Sequence, residues 1–243
     1  VDSALYYLHE ARQNDPKRDV FYYLEGYISY FEGDYKNSLL LFNAAIELKP
    51  AEVDYYYFVC MSKLRLNTNP SILDEDDKFI DFNQENLKKI IKTINTKNSE
   101  YFYPKLLAKF NYDPTILGMD EYFMFYVGAS QQEGFSGYTN SKPSISKAFD
   151  QGNFELCIRL GKDFIEKNPT SVVTYFYIAN SYFMIGQPDQ SLRYLMVYYG
   201  FLQGIIATGD GSSKQNAFVV NSVEDEYTCL LYTSDAADEE DSV

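Results

Sequence analysis

The sequence predicts a mainly α-helical chain, a solenoid of antiparallel helix-turn-helix pairs that ends in a small β-hairpin. Three observations point there. Residues recur at a spacing of 34 near both ends of the chain; Gly and Pro punctuate the recurring units where helices must turn or stop; and a short run, Ala217 to Val220, reads as a strand beyond the last helical pattern.

The first array opens the chain. Ala4 and Ser38, Leu8 and Phe42, Ala11 and Ala45, and Pro16 and Pro50 are each 34 residues apart. Between the two prolines lies a full unit: Tyr22, Gly26, the turn Gly33-Asp34-Tyr35, then Ser38, Phe42 and Ala45. Gly26 and Ser38 are small, as they must be where two helices cross closely, with Tyr22, Leu24 and Phe42 filling the space around them. Pro50 cannot continue a helix and so ends the unit. This pattern resembles the tetratricopeptide repeat, specifically over residues 1–50. It fades over Glu52 to Leu66, where Tyr56 and Cys60 fit a third first helix with a two-residue insertion. Val1 falls in the second half of a unit, so further repeats and any signal peptide are expected upstream, and localisation stays undecided.

A second array has the same period. Gly152 and Gly186, Cys157 and Ser191, and Phe164 and Tyr198 are 34 apart, with Pro169 between them. The two arrays are out of phase, and the stretch between them explains why. Asn67 to Asp81 carries Pro70 and the run Asp74-Glu75-Asp76-Asp77, the composition of a linker. Asn86 to Ile94 and Tyr103 to Phe110 then read as short amphipathic helices, Met119 to Ala129 as an aromatic-rich one, and Gly134 to Pro143 as a loop. The expected organisation is repeats over 1–66, an acidic linker over 67–81, a helical domain with a terminal hairpin over 82–228, and a tail over 229–243.

Tyr103-Pro104-Lys105-Leu106-Leu107, Tyr126-Val127-Gly128, Gly137-Tyr138-Thr139-Asn140, Ala207-Thr208-Gly209-Asp210-Gly211, Ala217-Phe218-Val219-Val220 and Asp225-Glu226-Tyr227 together resemble a bacterial family known as domain of unknown function 4919, from about Asp81 to Thr228. That family has no assigned activity, so the resemblance implies a fold and leaves function open. The eleven residues Cys229 to Glu239 resemble the in-frame translation of a sequencing adapter, as in a metagenomic fragment. Residues 229–243 are therefore expected to be a non-native, disordered tail that packs against nothing.

Composition narrows the classes of function. The formal charge is −14, and residues 1–228 alone hold 21 basic against 30 acidic side chains. Such a surface repels phosphate backbones, and no Lys/Arg stripe offers a footprint for nucleic acid. No stretch of eighteen uncharged apolar residues is present, so no membrane span is expected. The chain is 46% hydrophobic and can bury a large core. Cys60 and Cys157 sit inside apolar patterns and read as buried thiols.

The inventory for catalysis is thin. His9, the one histidine, reads as a solvated surface residue. It and two isolated cysteines give neither metal-ligand spacing nor a nucleophile-base pair, so no metal, cofactor or catalytic set is expected. The strongest candidate loop is Thr208-Gly209-Asp210-Gly211-Ser212. It reads more simply as a turn in which Gly209 and Gly211 supply positive φ, followed by a hairpin pairing Ala217–Val220 with Ser222–Tyr227. In the Glu224-Asp225-Glu226 cluster a strand would let only Glu224 and Glu226 converge. The enzyme reading is a hydrolase or transferase site around Asp210, Ser212 and Glu226.

Aromatic residues support a different reading. The chain holds 24 Tyr and 18 Phe and no Trp. Tyr22, Phe42, Phe164 and Tyr175 fall at packing positions. Tyr23, Tyr27, Tyr30 and Phe31 fall on the groove side of a first helix, where a ring with a polar tip suits a partly wet binding surface. The expectation is a non-enzymatic scaffold that takes a protein or peptide in an aromatic-lined concave groove.

Overall fold

The computed structural model describes residues 2–74, 77–135 and 143–240, with the side chains of 2–4, 143 and 235–240 outside that description. It divides into two compact units, Val1–Asn67 and Thr68–Val243.

Unit 1 consists of α1 (Asp2–Asn14), α2 (Asp19–Phe31), α3 (Tyr35–Leu48) and α4 (Val53–Asn67), each packed antiparallel on the next. The repeat fixes the local geometry. At the end of α2 the amide of Gly33, at φ +81°, donates to Tyr30 O, and the amide of Asp34 donates to Ser29 O, a paired closure that only a residue at positive φ completes cheaply. The Asp34 carboxylate then accepts the amide of Asn37 and caps α3. Gly26 lets α2 approach α3, for a Cβ there would lie 3.2 Å from the Phe42 ring. The core is Phe42, Ala45, Val59, Cys60 and Leu64, all fully buried.

Unit 2 contains α5 (Leu87–Ile94), α6 (Tyr103–Tyr112), α7 (Met119–Ser130), α8 (Pro143–Asp150), α9 (Phe154–Ile165), α10 (Val172–Met184), α11 (Pro188–Ile206) and α12 (Val223–Glu240), with 3-10 turns at Pro70–Ile72, Gln84–Asn86 and Pro114–Ile116. The turn of unit 1 recurs between α8 and α9 at Gly152 and between α10 and α11 at Gly186, with the same pair of amide bonds. A second signature joins both units. Tyr22, Tyr56 and Tyr175 each donate their hydroxyl to the carbonyl of a proline six residues earlier, at 3.2, 3.0 and 2.8 Å. The centre of unit 2 is α7, buried from Met119 to Ala129 except at Glu121, and α11 lies directly on it because a side chain at Gly200 would strike the Tyr122 ring.

Several expectations are corrected here. No β-strand occurs among the described residues, only a single bridge between Leu73 and Phe79, so the C-terminal hairpin does not exist. Ala217–Val220 belongs to no strand, and its Val219 amide donates to Thr208 Oγ1 at 2.9 Å. Ser222–Tyr227 opens α12 instead of forming a strand: Ser222 Oγ accepts the Asp225 amide, and Glu224, Asp225 and Glu226 favour a helix N-terminus.

The expectation of a loose tail from Cys229 is likewise corrected over its described part, residues 229–240. That part continues α12, with Cys229 fully buried and Gln203 Nε2 donating to the Tyr232 hydroxyl at 3.0 Å. The 67–81 stretch does not act as a linker over its described part. Phe79 is buried, its amide donates to Ala207 O at 2.7 Å, and Lys78 Nζ donates to Ile206 O and Gly209 O. A cation there opposes the partial negative charge at the C-terminus of α11.

In unit 1 no insertion interrupts the period: α2 and α4 begin at Asp19 and Val53, and Tyr22 and Tyr56 are in phase. Tyr22 and Leu24 are not core, since Tyr22 is half-buried and Leu24 is 39% exposed.

Candidate functional site

The four residues predicted to line a groove do come together. Tyr23, Tyr27, Tyr30 and Phe31 recur at spacings of three and four along α2, which places them along one side of the helix. The Tyr27 and Phe31 ring centroids are 4.6 Å apart, and those of Tyr30 and Tyr35 are 5.4 Å apart. The hub of the cluster was not anticipated. Phe58 of α4 lies 6.0, 5.4 and 5.6 Å from Tyr23, Tyr27 and Tyr30, and stacks at 4.9 Å on the core ring Phe42. Carrying the 34-residue period unbroken into α4 would have placed Phe58 there, one period after Leu24.

This cluster grades from core to surface. Tyr23, Tyr30 and Phe58 are half-buried, while Tyr27 is 40% and Phe31 66% exposed. Edge-on contacts fix the rings, so little side-chain freedom remains to be lost when something covers them. At its base the Tyr55 hydroxyl donates to Asp19 Oδ2 at 2.5 Å; burial, then that carboxylate, push the Tyr55 phenol well above its ordinary range, so it stays a donor.

On the far side of α2, Glu25 is almost wholly buried, with Oε2 3.2 Å from His9 Nε2 and Oε1 3.1 Å from Arg12 Nε of α1. Burial raises the carboxyl pKa of Glu25, and Arg12 and then His9 oppose that rise. His9 is thus tied to a buried carboxylate, which its position beside Leu8 did not reveal.

The loop Thr208-Gly209-Asp210-Gly211-Ser212 is a hydrogen-bonded turn. Thr208 Oγ1 donates to Ile205 O, and the amides of Asp210 and Gly211 both donate to Asn216 O. Asp210 Oδ1 accepts the Ser212 amide at 2.8 Å, and the Ser212 hydrogen bonds hold the Asp210 carboxyl below its usual range although the group is open to water. Gly211 has φ +72°, but Gly209 does not use positive φ. It is small because a side chain there would meet the backbone of Asn216. This loop borders an open groove of about 510 Å³, whose other wall is Lys78 to Asn83. Glu226 lies exposed on α12, while the intervening Asp225 is the buried acid of the cluster, reversing the pairing a strand would give. Among the described residues no group of three or more His, Cys, Asp or Glu converges to hold a metal.

Asp225 belongs to an interior network that the sequence did not disclose. The Tyr126 hydroxyl donates to its Oδ2 at 2.6 Å, Ser222 Oγ donates to the same oxygen at 2.8 Å, and Asn221 bonds Tyr126 through both its amide and its side chain. No helix among the described residues is long and apolar enough to cross a membrane.

Residues 88–243 match a family described as Domain of unknown function (DUF4919). No curated protein matches the sequence. The aromatic cluster, at residues 23–58, lies ahead of the matched region.

Proposed function

We propose, for a chain that belongs to the DUF4919 family, a role as a protein-binding scaffold. Unit 1 is read as tetratricopeptide-type helix pairs whose aromatic face takes an apolar or aromatic peptide segment of a partner. One observation carries this reading: Tyr27 and Phe31 remain exposed although Phe58, Tyr23 and Tyr30 hold their rings in place. Large rings kept rigid at a surface lose little entropy on binding and bury much area, the usual make-up of an interface anchor. The turn residues Asp210 and Ser212 satisfy each other, which suits a structural role for that loop.

The experiment is selection of a displayed random-peptide library on the whole chain. Enriched peptides should carry apolar or aromatic residues and lose at least about tenfold in affinity toward a Tyr27→Ala/Phe31→Ala double variant, one hot-spot anchor being worth more than about 1.4 kcal/mol. Peptides that bind the double variant as tightly as the parent would remove the groove from the function.

A further inference from the structure

The turn closed by a tyrosine-to-proline bond follows Pro16, Pro50 and Pro169, and its next residue is Lys17, Ala51 or Thr170. Lys17 and Ala51 are exposed, as turn residues usually are, whereas Thr170 is 6% exposed. Thr170 lines an open cavity of about 220 Å³ that it shares with Tyr103 of α6, Ala129 at the end of α7 and the turn that follows.

A buried polar residue is normally hydrogen-bonded. The other buried threonines are: Thr68 accepts the Met119 amide, Thr174 bonds Ser171, and Thr208 donates to Ile205 O. Neither the hydroxyl nor the amide of Thr170 has a partner among the described residues. Tyr103 repeats the observation. In the same unit Tyr101, Tyr122, Tyr126 and Tyr175 all donate their hydroxyls to a carboxylate or a carbonyl. The hydroxyl of Tyr103 meets no such group, although the ring is half-buried and burial raises its pKa, which keeps it a donor. Its ring is held in place, stacked on Phe125 at 5.6 Å and 8° from parallel, and lying where any side chain at Gly128 would strike it.

The remaining lining sets the class of ligand. Lys167 forms no ion pair among the described residues, and α10 starts at Val172 without a side-chain cap, which adds partial positive charge beside Thr170. Glu133 lines the same cavity, so a doubly charged phosphate would find little net counter-charge. A single carboxylate, by contrast, is well served by O–H and N–H donors with one ammonium. Ala129 and Phe135, the latter 39% exposed, offer apolar contact to the rest of the ligand. Size agrees, since a cavity of about 150 Å³ already holds benzene.

We propose that this cavity binds a small monocarboxylate with an apolar body, its carboxylate held by Thr170, Tyr103 and Lys167. The site lies wholly within unit 2 and is independent of the peptide-binding reading of unit 1.

The test is ligand-observed NMR on the whole chain with phenylacetate and isovalerate as probes, and with phenylacetamide and inorganic phosphate as controls. Both carboxylates should bind in a saturable way; the amide should not, and phosphate should not displace them. Thr170→Val and Tyr103→Phe remove hydroxyls that bond nothing, so the unliganded variants should melt at or above the parent temperature. Each should weaken carboxylate binding at least about tenfold, the worth of a hydrogen bond to a charged group. Lys167→Gln, at an exposed position where the fold is not at risk, should weaken it as well. Carboxylates that fail to bind, or that bind all three variants as they bind the parent, overturn the proposal. Displacement by phosphate, or equal binding of phenylacetamide, overturns the ligand class. A clear drop in melting temperature for either hydroxyl variant would show that the hydroxyl serves the fold, and it too counts against the site.

Discussion

Tyr126 and Asp225, 99 residues apart in sequence, are joined by a 2.6 Å hydrogen bond that ties the central helix α7 to the start of α12. Both side chains are buried, and burial, then the Asp225 charge, drive the phenol pKa far up, so the tyrosine remains a donor at any physiological pH. The same hydroxyl accepts the Asn221 amide. Tyr126→Phe keeps the ring and removes both bonds, leaving a buried carboxylate short of a donor. It should cost about 2 to 4 kcal/mol, at or above the usual price of an unmet buried polar group. Urea denaturation monitored by circular dichroism measures it; a cost under about 0.5 kcal/mol would mean that water replaces the phenol.

The legible parts of this protein were those governed by short-range rules. The repeat, its turns at Gly33, Gly152 and Gly186, and the short helices between the arrays follow from spacing and from what Gly and Pro permit. That Tyr23, Tyr27 and Tyr30 share one side of α2 follows from helical periodicity, but the place of Phe58 beside them did not, because an assumed insertion in α4 broke the register. The supposed hairpin failed for a local reason. Ser222 and Asp225 form a helix-capping pair, which a strand reading of Ser222–Tyr227 leaves out. Pairs such as Tyr126 with Asp225 and Phe79 with Ala207 join distant segments, and no local pattern in one sequence encodes them.

The tail supplies a second prediction, opposite to the one its resemblance to an adapter suggests. Cys229 is fully buried in α12 and Tyr232 contacts Gln203 and the Tyr199 ring. Ending the chain after Thr228 should lower the melting temperature by several degrees, since losing a buried side chain and a hydrogen bond from a domain of this size removes about 2 to 3 kcal/mol. Burial, with Asp225 and Glu226 adding to it, pushes the Cys229 thiol up to about 12. Alkylation of the native chain by iodoacetamide at neutral pH should therefore leave this residue unmodified, and denaturation should expose it.

Asp120 gives a pH prediction whose sign is fixed. Its carboxyl is buried at the start of α7, with Oδ2 accepting the Tyr101 hydroxyl at 2.7 Å. Burial raises its pKa above the ordinary 3.8, and the Tyr101 bond only partly offsets this. A raised folded-state value means that the protonated acid favours the fold. That contribution is fully present below about pH 4 and is lost as the pH rises through the folded-state value. Asp120→Asn, which can still accept from Tyr101, should therefore be at least as stable as the parent at pH 7 and lose that advantage as the pH falls toward 4. Chemical melts across that range decide it; a variant weaker at pH 7 and matched at pH 4 would show that the charged form is the stabilising one.

The last prediction separates core from surface within one unit. Tyr56 is 2% exposed and hydrogen-bonded to Pro50, whereas Tyr27 is 40% exposed at the edge of the aromatic cluster. Tyr56→Ala opens a cavity at a buried position of α4 and should destabilise by about 3 to 5 kcal/mol, as loss of a buried aromatic ring does. Tyr22→Ala, at the equivalent but half-buried place, should cost clearly less than Tyr56→Ala, because its ring is partly in water beneath the Arg12 guanidinium. Tyr27→Ala should cost under about 1 kcal/mol while weakening any peptide that the groove selects. Denaturant melts of the three variants rank them. If Tyr27→Ala lost as much stability as Tyr56→Ala, the exposed rings would be serving the fold of unit 1 rather than a partner, and the binding face would have to be sought elsewhere on the chain.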